Sequence, residues 1–355
     1  MNWQIKIYGG KNKKYNLLYI YTKCDIIFRS YYKNRVKMVN DTIITTRSLE
    51  QIKLDLGLDT LTLLEDPKTV EIMLNPDGSL WVEQLGAKMR SYGNMNRACA
   101  ISLMQTIASY HGTIINTENP ILECEFPLDN SRFAGQFPPV VANPTFTIRK
   151  KAISIFTLAQ YVENCVMTEH QKETIRNAIK EHKNILVIGG TGSGKTTLVN
   201  AVIHDMTEQF PDERVVIIED TGEIQCAAKN YIQFKTSKYV KMTDLLKTTL
   251  RMRPDRILVG EVRGAEALDL LMAWNTGHEG GAATVHANNP LAALDRIALL
   301  ISMNSEYPKP IEPLIGSSIH YIVHIGRENH SRKIKSILKV NGYDTINKTY
   351  LTENI

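Results

Sequence analysis

The stretch that most restricts what this chain can fold into is Ile185 to Thr197, ILVIGGTGSGKTT. Its first residues, Ile185-Leu186-Val187-Ile188, have the length and β-branched content of a strand buried on both faces of a parallel sheet. Gly189, Gly190, Thr191, Gly192, Ser193 and Gly194 follow, then Lys195, Thr196 and Thr197, with helix-forming residues beyond. This is G-x-x-x-x-G-K-[ST] with a strand before it and a helix after it, the setting in which the pattern marks a phosphate-binding loop. Glycines let the backbone curl until several N–H groups face one small volume. The helix adds its unpaired N–H groups and the positive end of its dipole. Lys195 is then expected to reach the β- and γ-phosphates of ATP, the Thr196 hydroxyl to ligate Mg²⁺, and Thr197 to lie near the α-phosphate. A glycine-rich surface turn would match the pattern but not its two flanks.

The length of 355 residues suits two domains, and the charged and hydrophobic fractions are those of a globular protein. No stretch approaches the ~18 uninterrupted apolar residues of a membrane span, and the opening residues do not read as a secretory signal. The five cysteines, Cys24, Cys99, Cys124, Cys165 and Cys226, are widely spaced and form no C-x-x-C pair. That spacing points to a reducing compartment and away from a disulfide framework or a zinc site. A net charge of +5 would suggest nucleic acid as a partner. However, residues 1–37 hold nine bases against the single acid Asp25, a net of +8, which leaves −3 on residues 38–355. The basic character belongs to a leader. Three readings fit it: a basic arm for a membrane surface or nucleic acid, a disordered extension, or a misread start with Met38 as the initiator.

Residues 38–150 read as a smaller α+β domain. A helix is expected over Thr46–Leu64, then strand, turn and strand through Val70–Leu74, Asn75-Pro76-Asp77-Gly78 and Ser79–Val82. A second helix is expected over Ala98–Tyr110, and further strands near Arg132-Phe133 and Phe146–Arg149. Residues 151–184 are expected to form a helical linker. From 185 to 355 buried strands recur at Val215–Glu219, Ile257–Gly260 and Ala282–His286, separated by helical stretches. Alternation of this kind means a mostly parallel sheet covered on both faces, whose ligands bind at the carboxyl ends of the strands. The fold class is therefore α/β, a P-loop domain preceded by a smaller α+β domain.

Polar residues close these strands. Glu261 stands where a nucleotide-hydrolysing domain places a carboxylate on the Mg²⁺ side. The usual aspartate just before it is Gly260 here, so one carboxylate must organise the metal or its water. In IIEDTGEIQ, Glu219 or Glu223 would orient or deprotonate an attacking water, whereas Asp220 reads as a turn residue. His286 ends the run that begins Gly277-His278-Glu279-Gly280-Gly281, and an imidazole there can contact a γ-phosphate. His320 and His324 read as structural. Phosphoryl transfer also wants guanidinium charge on the γ-phosphate, and the candidates are Arg132, Arg149, Arg251 and Arg253. Near the end of the chain Arg327, Arg332, Lys333, Lys335 and Lys339 fit either contact with anionic lipid or a solvated strand face.

Taken in order, GGTGSGKTT, IIEDTGE, RMRPDRILVGEVRG and GHEGGAATVHANN resemble the Walker A, Asp box, Walker B and His box of the secretion ATPases. That superfamily powers type II and type IV secretion and pilus assembly. LDLGLDTLTLLEDPKTVEIMLNPDGSLWVE, PPVV…FTIRKKA and the terminal VNGYD…Y are similar to the conjugative-transfer members of the type IV branch. The likeness covers 40–355 and none of 1–37. It implies Mg²⁺-dependent ATP hydrolysis by a homohexameric ring, with the N-terminal domain stacked on a RecA-like ATPase domain and nucleotide between them. It further implies that Arg132 and Arg149 are the N-domain and linker arginines. The expected place of work is the cytoplasmic face of the bacterial inner membrane, beside other cytoplasmic and inner-membrane secretion components, with peripheral membrane contact and no sequence-specific nucleic acid. A type II secretion or pilus motor, a DNA-translocating motor, and a nucleotide-gated scaffold with little turnover are the competing readings.

Overall fold

The computed structural model describes residues 45–151, 155–237, 239–304, 306–328 and 331–355. The leader 1–37 lies outside them. Two compact units divide the described chain, the first taking residues up to Val82 and Met89–Ile148, the second Glu83–Lys88 and Arg149–Ile355.

The first unit opens with a helix, α1, over residues 45–65. It continues with β1 (Thr69–Leu74), β2 (Ser79–Gln84), β3 (Arg90–Asn94), α2 (Arg97–Tyr110), β4 (Ile121–Glu125), β5 (Arg132–Gln136) and β6 (Thr145–Arg149). The strands form one six-stranded sheet in the order β3-β2-β1-β6-β5-β4. The turn after β1 follows from its residues: Gly78 sits at φ +85°, and Asp77 accepts hydrogen bonds from both the N–H and the hydroxyl of Ser79. Asn96 caps α2 by accepting from the Ala98 N–H at 2.8 Å. The apolar faces of α1 (Ile52, Leu56, Leu63) and α2 (Leu103, Met104, Ile107) meet Ile72, Val82 and a run of stacked rings, Phe126–Phe133–Phe146.

The second unit begins with two short capped helices, α3 (Leu158–Glu163) and α4 (Glu169–Lys180); Thr157 with Gln160 and Thr168 with Gln171 form reciprocal capping boxes. Then follow β7 (Ile185–Ile188), α5 (Lys195–Gln209), β8 (Val215–Glu219), β9 (Tyr231–Lys235), α6 (Met242–Thr249), β10 (Arg256–Val259), α7 (Glu266–Trp274) and β11 (Ala282–Val285). The chain ends with α8 (Pro290–Ser302), α9 (Glu312–Ser318), β12 (Tyr321–Glu328), β13 (Ser331–Asp344) and β14 (Thr349–Asn354). The eight-stranded sheet runs β14-β13-β12-β7-β11-β10-β8-β9, parallel from β12 through to β9, with β13 and β14 added antiparallel.

Every residue of β7, β8, β10 and β11 is buried, because helices cover both faces. Ile185 and Val187 join Leu198 and Val202 of α5 and Ile175 and Ile179 of α4; Leu186 and Ile188 point the other way, to Leu271, Trp274, Ile297 and Ile315 of α7, α8 and α9. β7 is thus the middle of the sheet, and its carboxyl end delivers the phosphate loop. Among the described residues no helix is long and apolar enough to cross a membrane.

The amino end of the sheet is closed differently. Arg256 is fully buried at the start of β10, where its Nε meets Glu213 at 2.5 Å, its Nη1 donates to Gly280 O at 3.0 Å, and its guanidinium lies 4.8 Å from the Phe210 ring centre. Glu213 is shared with His182 at 2.7 Å. Removing one member of a buried ion pair strands the other's charge, typically at about 3–5 kcal/mol. Arg256→Ala is therefore expected to lower unfolding free energy by about that amount, read from the midpoint of a denaturant titration. A change under about 1 kcal/mol would mean that the cluster holds nothing together.

Candidate functional site

Between β7 and α5 the chain turns through Gly189–Gly194. Gly192 and Gly194 adopt φ +67° and +97°, a left-handed backbone open to glycine. Gly189 has no room for a side chain: a Cβ there would stand 2.2 Å from Ile325 O and 2.6 Å from Ser193 Oγ. Gly190, Thr191 and Gly192 form an exposed crown, while Ser193 is buried with a hydroxyl that finds no partner among the described residues. α5 starts at Lys195 with Gly194 as its N-cap and no side-chain cap, so its first N–H groups are left for an anion. Thr196 and Thr197 occupy its first turn.

Lys195 folds back on its own loop. Its ammonium donates to Gly189 O and Gly190 O, both at 3.0 Å, and stands 3.4 Å from each ring nitrogen of His286. His286 follows β11 directly, and its Nε2 is 2.9 Å from Glu261 Oε1. Burial and the Lys195 charge push His286 below the usual imidazole range, which leaves the ring neutral at pH 7. The ammonium, equidistant from the two ring nitrogens, is aligned with neither, while Nε2 is the nitrogen that faces the carboxylate. Burial works to raise the Glu261 carboxyl, but the hydrogen bond and charge of Arg263, joined by His286 and Lys195, hold it below the ordinary range. Burial likewise lowers Lys195 against the pull of Glu261. Lys195, His286 and Glu261 form one coupled cluster at the carboxyl ends of adjacent strands.

Glu219 and Glu223 part company. Glu219 is buried at the end of β8. Its Oε1 accepts from the N–H groups of Glu223 (3.0 Å) and Ile224 (2.8 Å), and its Oε2 from Gln233 Nε2 at 2.6 Å. Burial raises its pKa, opposed by those three donors. With both oxygens engaged it braces the turn that follows. Glu223, which that turn carries, brings Oε2 to 3.4 Å from Thr196 Oγ1. Gly260 explains itself here: a Cβ on it would stand 2.9 Å from Glu219 Cγ. The side chain arriving from β8 fills the space that an aspartate at 260 would need.

Thr196, Glu223 and Glu261 offer hard oxygen donors, the kind Mg²⁺ takes. Among the described residues no group of three or more His, Cys, Asp or Glu side chains forms a metal cage. An ion that keeps water and phosphate oxygens in its shell does not need one.

Arg263 is a member of the site that the sequence reading overlooks. It binds Glu261 Oε2 at 2.5 Å and Asp220 Oδ2 at 3.4 Å, and Asp220 in turn accepts from Thr236 at 2.9 Å. A cation two residues beyond a strand-end carboxylate is the signal that would have found it. Arg251 and Arg253 precede β10 and so lie toward the amino ends of the strands, away from the loop in the same chain. Arg132 opens β5 and Arg149 closes β6, its neighbour in the first sheet. Thr145 and Gln136 bond where those strands are joined, at 3.0 Å, so the two arginines share the opposite end. His320 is structural, its Nδ1 accepting from the Asn184 N–H at 3.0 Å. Arg327 and Arg332 both lie against the phosphate loop; Lys333 and Lys335 pair with Glu328.

The family described as "Type II/IV secretion system protein" matches residues 118–349. The "Probable conjugal transfer protein TrbB" of Sinorhizobium fredii is 46% identical over 311 residues, which span 86% of this chain and 95% of that protein. The "Conjugal transfer protein TrbB" of Rhizobium radiobacter is 44% identical over 308 residues, 87% of this chain and 94% of its own. Among solved structures the ATPase DotB of Legionella pneumophila superposes with a TM-score of 0.57 at 18% identity, over 81% of this chain and 80% of the other, a likeness of fold. A loop of bare amides ringed by Lys195, Glu261 and His286, on a chain that matches these relatives nearly end to end, has one home: this protein belongs to the type II/IV secretion system protein family.

Proposed function

We propose that the chain is a Mg²⁺-dependent ATPase, the motor of a type IV secretion or conjugative transfer system, working as a homohexameric ring at the cytoplasmic face of the bacterial inner membrane. The observation that carries this reading is the convergence of Lys195, His286 and Glu261 on the mouth of a phosphate loop. The TrbB relatives, named for conjugal transfer, favour the conjugative role over a pilus or type II motor. In domain terms the reading assigns residues 38–150 to an N-terminal domain, 151–184 to a linker and 185–355 to the ATPase with its tail.

On this reading the loop amides and the start of α5 hold the polyphosphate, and Lys195 exchanges its two carbonyl contacts for phosphate oxygens. Thr196 with Glu223 would hold a Mg²⁺, which would supply positive charge against the phosphates. Glu261, kept ionised by its cationic neighbours, orients water for attack on the γ-phosphorus and accepts its proton as the bond to the β-phosphate oxygen breaks. His286 bonds the γ-phosphate or the inorganic phosphate released. Arg132 and Arg149 supply further positive charge, and loss of the γ-phosphate frees the N-terminal domain to move.

Steady-state phosphate release together with nucleotide titration tests the assignment. Lys195→Ala and Glu261→Gln are each expected to lose about a hundredfold or more in turnover, with Glu261→Gln still binding ATP. Wild-type protein that binds ATP yet releases no phosphate would favour the scaffold reading instead. Glu219→Gln keeps an oxygen for the two backbone N–H groups and is expected to stay within about tenfold of wild type; a loss equal to that of Glu261→Gln would return it to the chemistry. Gly260→Asp, which restores the usual aspartate, is expected to destabilise the fold by about 1–3 kcal/mol through collision with Glu219 and to gain no activity. Thermal midpoint and phosphate release on the same sample decide this.

A further inference from the structure

β7 has a neighbour on each side. On one, β11 leads to His286 and β10 beyond it to Glu261; on the other, β12 pairs with β7 and returns as β13. Arg327 on β12 and Arg332 on β13 are direct cross-strand partners. Both reach onto the phosphate loop. Arg327 Nε donates to Gly192 O at 3.3 Å, and its Nη2 lies 3.0 Å from the point where a Cβ on Gly192 would stand. For Gly194 the same point lies 2.9 Å from Arg332 Cδ and 3.1 Å from its Nε. Glycine at these two positions serves the hairpin as well as the backbone turn.

Like charges directly opposite each other on adjacent strands repel. A nearby acid would relieve this pair, but Glu328 on the same hairpin binds Lys335 at 3.0 Å and Lys333 at 3.6 Å instead. Among the described residues neither guanidinium has a carboxylate within 4.0 Å. Two adjacent forks of N–H donors match the oxygens of a phosphate, which can accept from both at once. The anion that would relieve them belongs in the loop they rest on.

Which phosphate it is follows from the topology. Glu261 and His286 mark the γ end, on the β10–β11 side of β7. The hairpin stands on the other side, toward which the polyphosphate must run from γ to α. Building on the nucleotide site proposed above, we propose that Arg327 and Arg332 grip the α-phosphate end of the bound nucleotide, so that the β12–β13 hairpin forms the second wall of the site. Contacts there are common to ATP and ADP. They set how tightly any nucleotide is held and leave discrimination between the two to the γ side.

Isothermal titration calorimetry of the full chain with Mg²⁺-ADP and with a non-hydrolysable ATP analogue tests this. The Arg327→Gln/Arg332→Gln double variant is expected to weaken both ligands in the same proportion, by about tenfold or more. Lys339→Gln, a charge control on β13 away from the loop, is expected to stay within about twofold. Without nucleotide the double variant should melt no lower than wild type, since a repulsion has been removed. Unchanged ADP affinity, a loss confined to the ATP analogue, or a lowered nucleotide-free midpoint would each overturn the inference, the last by making the arginines braces of an empty loop. If the wild-type chain bound neither nucleotide, it would be the phosphate site itself that failed.

Discussion

A half-desolvated ammonium stands at the centre of this protein. Lys195 is buried, and the partners within hydrogen-bonding reach are two backbone carbonyls and a neutral imidazole, not a carboxylate. Carbonyl dipoles tolerate a cation without neutralising it, so the positive potential persists into the mouth of the loop. Its neighbours are set by it. Its charge lowers both the His286 imidazole and the Glu261 carboxyl, and the ring stands between the two, 3.4 Å from the ammonium and 2.9 Å from the acid. A phosphate arriving here would take the place of the carbonyls and meet a site already charged and oriented for it.

The acids divide labour by depth. Glu219 lies deepest, and three donors hold it; its work is to fix the turn that presents Glu223 to Thr196. That role requires Gly260 on the adjoining strand, since any side chain there would meet the Glu219 methylene. The missing strand-end aspartate and the buried strand-end glutamate are one structural choice seen from two strands. Glu261, reached one residue later, is left partly open and facing the loop. Arg263 completes the arrangement by tying Glu261 to Asp220 across the same two strands.

What the sequence makes legible here is whatever is local and strongly patterned. The buried strands β7, β8, β10 and β11 are continuous apolar runs, and α8 is announced by Asn289 before Pro290, a cap and a first-turn proline. β9 carries no such signal. Tyr231–Lys235 lies at the sheet edge, half-exposed, with Gln233 and Lys235 in it, so neither an apolar run nor a clean alternation marks it. Without β9 there is no Gln233 beside Glu219, and nothing then separates Glu219 from Glu223. The roles of Arg327 and Arg332 are hidden for another reason. Their partners lie more than 130 positions earlier, and a basic hairpin read alone looks like any solvated or lipid-facing strand. Only the pairing of β12 with β7 brings it to the loop.

The two ends of the sheet use the same residue type in opposite ways. At the amino end Arg256 is sealed between Glu213, backbone carbonyls and the Phe210 ring, each of its three nitrogens donating and its charge matched. Such an arginine specifies structure and has nothing left to offer a ligand. At the carboxyl end Lys195 and Arg327 donate to loop carbonyls and Arg332 stands opposite Arg327, and among the described residues none of the three has a carboxylate within 4.0 Å. A parallel sheet makes this asymmetry natural, because helix starts and loop amides face the carboxyl edge. Positive charge is satisfied where the domain must hold together and left wanting where it must bind. By that criterion the loop, the β10–β11 strand ends and the β12–β13 hairpin form a single surface, while Arg251 and Arg253, on the approach to Arg256, belong to the other.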